Sequence, residues 1–278
     1  MKVRILLLSI LFNGLNMIKD KNLKTYSTSD VVNYYQYLQQ LQPAEETVIK
    51  LLRSELPNMK MLDLGVGGGR TTQHFFPLVK EYIGVDYSVD MIKACQERFS
   101  QSYPSIQLRV GDGRDLSQFE DNSFDFILFS FNGLDYISHE DRLKALQEIS
   151  RVGKSGGYFF FSSHHLQAIE KEFNWRHHLS LNPFKTYVNL VMFAFLRGVN
   201  TSLTYRSIKH NNYAILRDES HNFRLRTYYI RASEQIKQLE PLFKDIKVYS
   251  WKTGLELTTN HNMVSCSDMW LYYLCRIK

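Results

Sequence analysis

Cysteine is scarce in this chain of 278 residues: Cys95, Cys266 and Cys275 are odd in number and form no Cys-x-x-Cys pair or Cys/His cluster. That excludes a disulfide framework and a structural zinc site, and it fits a reducing compartment. Six prolines and 14 glycines are too few for a collagen-like or low-complexity chain, and no Pro/Ser-rich linker or internal repeat divides it. A long apolar run is lacking as well. The run from Ile5 to Phe12 near the start is short of the roughly 20 residues that cross a bilayer. No small-x-small cleavage site follows it, and Asn13-Gly14 breaks it, so we read an over-extended start with Met17 as the natural one. The expectation is a cytoplasmic protein in which residues 1–28 stand outside a single domain formed by residues 29–278.

What is present suits a sizeable core: 44% hydrophobic and 14% aromatic residues against 22% charged. The net charge of +6 is uneven. Residues 1–164 carry 18 Lys and Arg against 19 Asp and Glu, whereas residues 165–278 carry 16 against 9. A basic second part suits an acidic partner of any size and says nothing about fold.

Helical periodicity runs from Ser29 to Leu56, with Pro43 placed for the first turn of a second helix. Apolar runs then alternate with helical segments. MKMLDLG, EYIGVDY, SIQLRVGD, FDFILFSFNG and GGYFFFSSHH read as strands; helices follow Gly69 and Ser88, and a third, capped by Ser138, runs from His139 to Val152. The alternation predicts an α/β fold, a mostly parallel sheet with helices on both faces. After His165 it breaks. About 166–222 we expect an insertion with an apolar run, Tyr187 to Leu196, which should pack over a pocket or into a dimer interface, and a hairpin from NYAILRD and FRLRTYYI with a polar linker, Glu219 to Asn222. A helix from Ser233 to Phe243, the strand DIKVYSW and a terminal strand close the chain.

The chemistry concentrates in Met61 to Arg70, where a strand ends in Asp63 and runs into Gly65, Gly67 and Gly69. A dinucleotide fingerprint would need its third glycine at position 70, and Arg70 stands there. The glycines allow a ligand close to the backbone, and the acid can anchor a cationic amino group. Asp86 and Asp112 follow at the ends of the next two strands, on the edge of an open parallel sheet where ligands sit. One such acid can accept both hydroxyls of a ribose, and the next an adenine amino group.

As a set these residues resemble the class I S-adenosylmethionine-dependent methyltransferases of small-molecule type. The acid-x-Gly-x-Gly-x-Gly loop is matched at Asp63, Gly65, Gly67 and Gly69, with Asp86 and Asp112 where that family has its ribose-binding and adenine-binding acids. RVGKSGGYFFF is similar to the family's turn into its fifth strand, with Gly153 and Ser155 in place of Leu and Pro. The resemblance implies a Rossmann-like seven-stranded sheet whose last strand is antiparallel, with S-adenosyl-L-methionine across its carboxyl edge. Tyr35, Tyr87, Met91, Gly113 and Asn132 complete the expected cofactor-binding set, though Asn132 also suits a plain Asn-Gly turn and Met91 plain core.

His164 follows the fifth strand on the functional edge and is the candidate general base, with a structural role as its alternative. Tyr34, Tyr35, Tyr228 and Tyr229 are candidates for the acceptor pocket, with core packing as their default. His177 and His178 have no matching Cys or carboxylate set, so we assign no metal. The family's nucleic-acid branches carry an Asn/Asp-Pro-Pro-aromatic motif or a nucleophilic cysteine near the fourth strand. Phe131-Asn132-Gly133-Leu134 has neither. The expectation is methyl transfer to an O or N atom of a small acidic or amphiphilic metabolite. The alternatives are an RNA methyltransferase and a non-catalytic adenosylmethionine-binding module. Contact with a membrane surface is left open without being required, and the sequence sets no oligomeric state.

Overall fold

The computed structural model describes residues 37–99, 101–103, 106–218, 223 and 225–278. Tyr34, Tyr35 and the linker Glu219 to Asn222 lie outside them. Helix α1 (Pro43–Leu51) starts at Pro43 as expected, with Gln42 as its N-cap. Five strands then run parallel: β1 (Lys60–Leu64), β2 (Glu81–Asp86), β3 (Gln107–Val110), β4 (Phe124–Phe129) and β5 (Gly153–His165). Helices α2 (Thr72–Phe75), α3 (Val89–Phe99) and α4 (His139–Val152) connect them in part.

The strands are apolar on both faces because both faces are covered. Leu62, Ile127, Phe159 and Phe161 pack with Ala145, Leu146 and Ile149 of α4. Their neighbours Met61, Phe126, Leu128 and Phe160 turn the other way, onto Ala44 and Val48 of α1. Strand β9 (Trp270–Ile277) pairs antiparallel with β5, and β8 (Phe243–Ser250) pairs with β9. The core order is therefore β3-β2-β1-β4-β5-β9-β8, with β9, the last strand of the chain, antiparallel to β5. The expected seven strands are all present. The helix before β8, α8 (Ala232–Leu239), stops short of Phe243, which already belongs to the strand.

The insertion adds two more strands to the sheet. Strand β4 ends at Phe129, opposite Phe161, while β5 runs on to His165. The edge of β5 beyond β4 would expose unpaired backbone groups, and β7 (Thr227–Ile230) takes it, pairing Tyr229 with His164 and Ile230 with His165. Strand β6 (Tyr213–Leu216) completes the predicted hairpin. Its Ile215 lines the cavity described below. Helices α5 (Leu166–Glu170), α6 (Pro183–Val199) and α7 (Tyr205–His210) share a separate small core with the hairpin, built on Leu166, Ile169, Leu196, Ile208, Leu216 and Tyr229. The apolar run from Tyr187 to Leu196 lies within α6 and does not reach the pocket described below. Helix α9 (Asn260–Ser265) lies before β9. Among the described residues no helix is long and apolar enough to cross a membrane.

Candidate active site

The loops after β1, β2, β3 and β4 surround a cavity of about 230 Å³ at the carboxyl edge of the sheet. Its floor is Phe129, and three glycines fit around that one ring. A Cβ on Gly65 would stand 3.0 Å from it, on Gly113 3.2 Å and on Gly133 2.1 Å. Gly65 and Gly113, expected to serve a ligand, thus also serve this aromatic floor. Gly69 does not line the cavity; its φ is +85°, and a Cβ there would lie 2.4 Å from the Phe99 ring of α3. Its role is close packing of the turn.

Asp63, Gly65, Gly67, Asp86, Tyr87, Met91, Asp112 and Gly113 all line the cavity. Asp86 Oδ2 accepts the Gly67 N–H and Oδ1 the Ser88 N–H, both at 2.9 Å. With the Tyr87 amide on it as well, the carboxylate still keeps acceptor capacity for a ligand hydroxyl. Burial pushes the carboxyl from its ordinary 3.8 up to about 6, against the pull of the Ser88, Gly67 and Tyr87 amides. Asp63 behaves alike: burial raises it to about 6, although Thr71 Oγ1 and Tyr82 Oη each donate to its Oδ2 at 2.6 Å. Asp112 is gripped by Arg114, whose Nη2 lies 2.6 Å from Oδ2, and Arg114 also reaches Asp141 at 2.8 Å. Ser88 caps α3 by accepting from the Met91 N–H.

Asn132 and His164 are not on the lining. Asn132 sits in the left-handed region at φ 64° and donates its N–H to Ser162 Oγ at 2.8 Å, which favours the turn reading of this residue. Phe131 before it is also left-handed, at φ 58°, a costly conformation for an aromatic residue. The strained pair turns the Phe131 ring into the cavity wall, with the Arg70 guanidinium 4.8 Å above it. His164 stands one ring behind that wall, 6.4 Å from the ring of the lining residue Tyr136. Its Nδ1 lies 2.7 Å from Asp135 Oδ2, and its backbone N–H donates to the same oxygen at 2.6 Å. The fully buried Asp135 also accepts from Arg142 and Ser163. Tyr228 and Tyr229 are buried away from the cavity, their hydroxyls held by His139 and Asp218.

Sequence reasoning missed a buried ion pair here. Arg70 Nη1 and Nη2 meet Glu45 Oε2 and Oε1 at 2.6 and 2.7 Å, tying α1 to the glycine loop. Burial works to raise the Glu45 carboxyl, yet Arg70, with Ser130 and the Gln42 amide, holds it below the usual range. Only the position of Glu45 in the first turn of an apolar-faced helix hinted at it. From above, Ile215 of β6 and the exposed Arg226 complete the cavity lining. Among the described residues no group of three or more His, Cys, Asp or Glu is placed for a metal ion.

Residues 62–161 match the family model described as "Methyltransferase domain". The uncharacterized methyltransferase YcgJ of Bacillus subtilis is 34% identical over 110 residues, 38% of this chain and 41% of that protein. A demethylmenaquinone methyltransferase of Renibacterium salmoninarum is 30% identical over 148 residues, 53% of this chain and 54% of that one. The chain spans about half the length of the curated relatives it matches. Among solved structures, the Haemonchus contortus phosphoethanolamine N-methyltransferase 1, crystallised with phosphoethanolamine and S-adenosylhomocysteine, superposes with a TM-score of 0.55 at 17% identity. That match covers 95% of this chain and 49% of the other, and carries the fold alone. Gly65, Gly67, Asp86, Met91 and Asp112, expected from the sequence to hold S-adenosylmethionine, all lie on this one cavity. By the family-model match, residues 62–161 form a methyltransferase domain, with S-adenosylmethionine as its cofactor.

Proposed function

We propose that this protein transfers a methyl group to an O or N atom of a small, amphiphilic and acidic metabolite. Bound adenosylmethionine supplies an electrophilic sulfonium methyl, so the protein's task is to hold the acceptor in line with it, which is worth roughly 7 to 11 kcal/mol. The observation that carries this reading is the roofed cavity. Phe131, Tyr136, Ile137 and Ile215 give the acceptor an apolar wall, and Arg226 on the same lining brings a cation for an acidic group. A roof formed by the insertion's own hairpin suits a small acceptor better than a polynucleotide.

His164, the candidate general base, stands one ring behind the cavity wall and out of hydrogen-bond reach of an acceptor in the cavity, so in this reading it has a structural role behind Tyr136, held by Asp135 at Nδ1. Transfer of a labelled methyl group into a metabolite extract, read by mass spectrometry, tests the function. Adenosylhomocysteine should accumulate together with one labelled small molecule. Cofactor binding without turnover in any extract would leave a binding module, and label in RNA would refute the small acceptor. His164→Gln should therefore leave kcat within about tenfold, and a loss of about 10²-fold or more at unchanged cofactor affinity would restore it as the base.

A further inference from the structure

The outer face of α6 is apolar where the solvent face of a surface helix is ordinarily polar. Phe184, Tyr187, Val188, Val191 and Phe195 are related by three- and four-residue spacings, with Tyr187 and Val188 adjacent, and they are 75%, 66%, 42%, 37% and 59% exposed. The helix is anchored by its other side. Leu196 enters the insertion core, the Phe193 ring lies 5.1 Å from that of His178, and Asn189 donates to the His178 carbonyl. A contiguous apolar stripe of this kind marks an interaction surface.

Charge identifies the partner. From Phe173 to Arg217 the chain has no Asp or Glu at all, against six Lys and Arg, of which Arg197 is turned inward over the Phe173 ring, leaving Arg176, Lys185, Arg206, Lys209 and Arg217. A second copy docked about a two-fold axis would set this basic segment against itself. A polynucleotide would answer the cations and leave Phe184, Val188 and Val191 bare. An anionic bilayer answers both, since an apolar helix face sinks to the level of the acyl boundary while flanking Lys and Arg meet the headgroups.

We propose that α6 docks this protein on an anionic membrane surface, lying in the headgroup plane without crossing it. Its 17 residues are about 25 Å long, enough for a surface anchor. The proposal is independent of methyl transfer, because binding to lipid needs neither cofactor nor acceptor. It is tested by flotation of the full chain with phosphatidylcholine vesicles that contain or lack phosphatidylglycerol. The parent should float with the anionic vesicles and lose this on adding salt. The double variant Val188→Glu, Val191→Glu, with an unchanged circular dichroism spectrum, should partition at least about tenfold more weakly. Equal flotation of parent and variant would overturn the proposal and assign the lipid contact to another segment. So would absence of flotation, a parent dimer that the variant converts to monomer by light scattering, or a labelled RNA that binds the parent and displaces it from vesicles.

Discussion

The edge of the parallel sheet and the insertion beyond β5 depart from ordinary burial in opposite directions. At the edge, charge is buried: Glu45, Asp63, Arg70, Asp86, Asp135 and Arg142 are all less than a tenth exposed. On α6 it is apolar surface that is left out. Buried charges there are held by partners, Glu45 by Arg70 and Asp135 by Arg142 and His164, or remain as carboxyls pushed up by desolvation, as at Asp63 and Asp86. Proteins break the rules of burial mainly where something else must bind. The two regions accordingly point to two kinds of partner, a polar cofactor within the edge and an apolar, anionic surface outside the insertion.

Substitutions break that comparison most strongly at the edge. Glu45→Ala strands Arg70 in the interior and should cost about 3 to 5 kcal/mol in urea unfolding, as the loss of one buried partner does. A loss below about 1 kcal/mol, an exposed-pair value, would mean that Arg70 finds water or another carboxylate. Gly69→Ala forces a Cβ into the Phe99 ring at a left-handed position and should cost about 3 kcal/mol, loosening the glycine loop with it. A wild-type midpoint would show that α3 shifts freely. On α6 the same measurement should read almost nothing. Phe184→Ser or Tyr187→Ser should change stability by less than about 0.5 kcal/mol, because those side chains have little to lose in the free protein. A larger loss would mean that the face is packed in solution.

Acidity sharpens the contrast further. The Asp86 carboxyl ionises near 3.8 in the unfolded chain and only near 6 in the fold, so between those values folding takes up a proton. Its contribution to stability therefore falls as pH rises through that window, and the Asp63 carboxyl adds in the same sense. Cofactor affinity should move the other way, rising with pH across about 6 as Asp86 becomes the charged acceptor for the ribose. Titrations of adenosylhomocysteine at pH 5 and 7.5 read this directly, and a flat profile would place the ribose elsewhere.

Much of the edge was legible in the sequence because strands buried on both faces are short apolar runs, and acids at their ends stand out. Asp63, Asp86 and Asp112 needed only that logic, and all three reach one cavity. The Phe129 floor was not legible, since it depends on three glycines from three different loops converging on one ring. Nor was the Glu45–Arg70 pair, which joins residues far apart in sequence. Periodicity found the β6–β7 hairpin but not its partner, because the free edge of β5 exists only once β4 has ended. The direction of α6 escaped for a related reason: an apolar stripe fixes a helix face, and tertiary contacts alone decide whether it looks inward.

The central claim is that this edge binds adenosylmethionine through the acid that ends β2. Calorimetric titration of adenosylhomocysteine into the parent and into Asp86→Ala, each shown folded by circular dichroism, tests it most directly. Hydrogen bonds to a charged acceptor are worth roughly 1.5 to 3 kcal/mol each, so the variant should bind at least about tenfold more weakly, with Asp86→Asn between the two. Equal affinity of parent and Asp86→Ala would contradict the account.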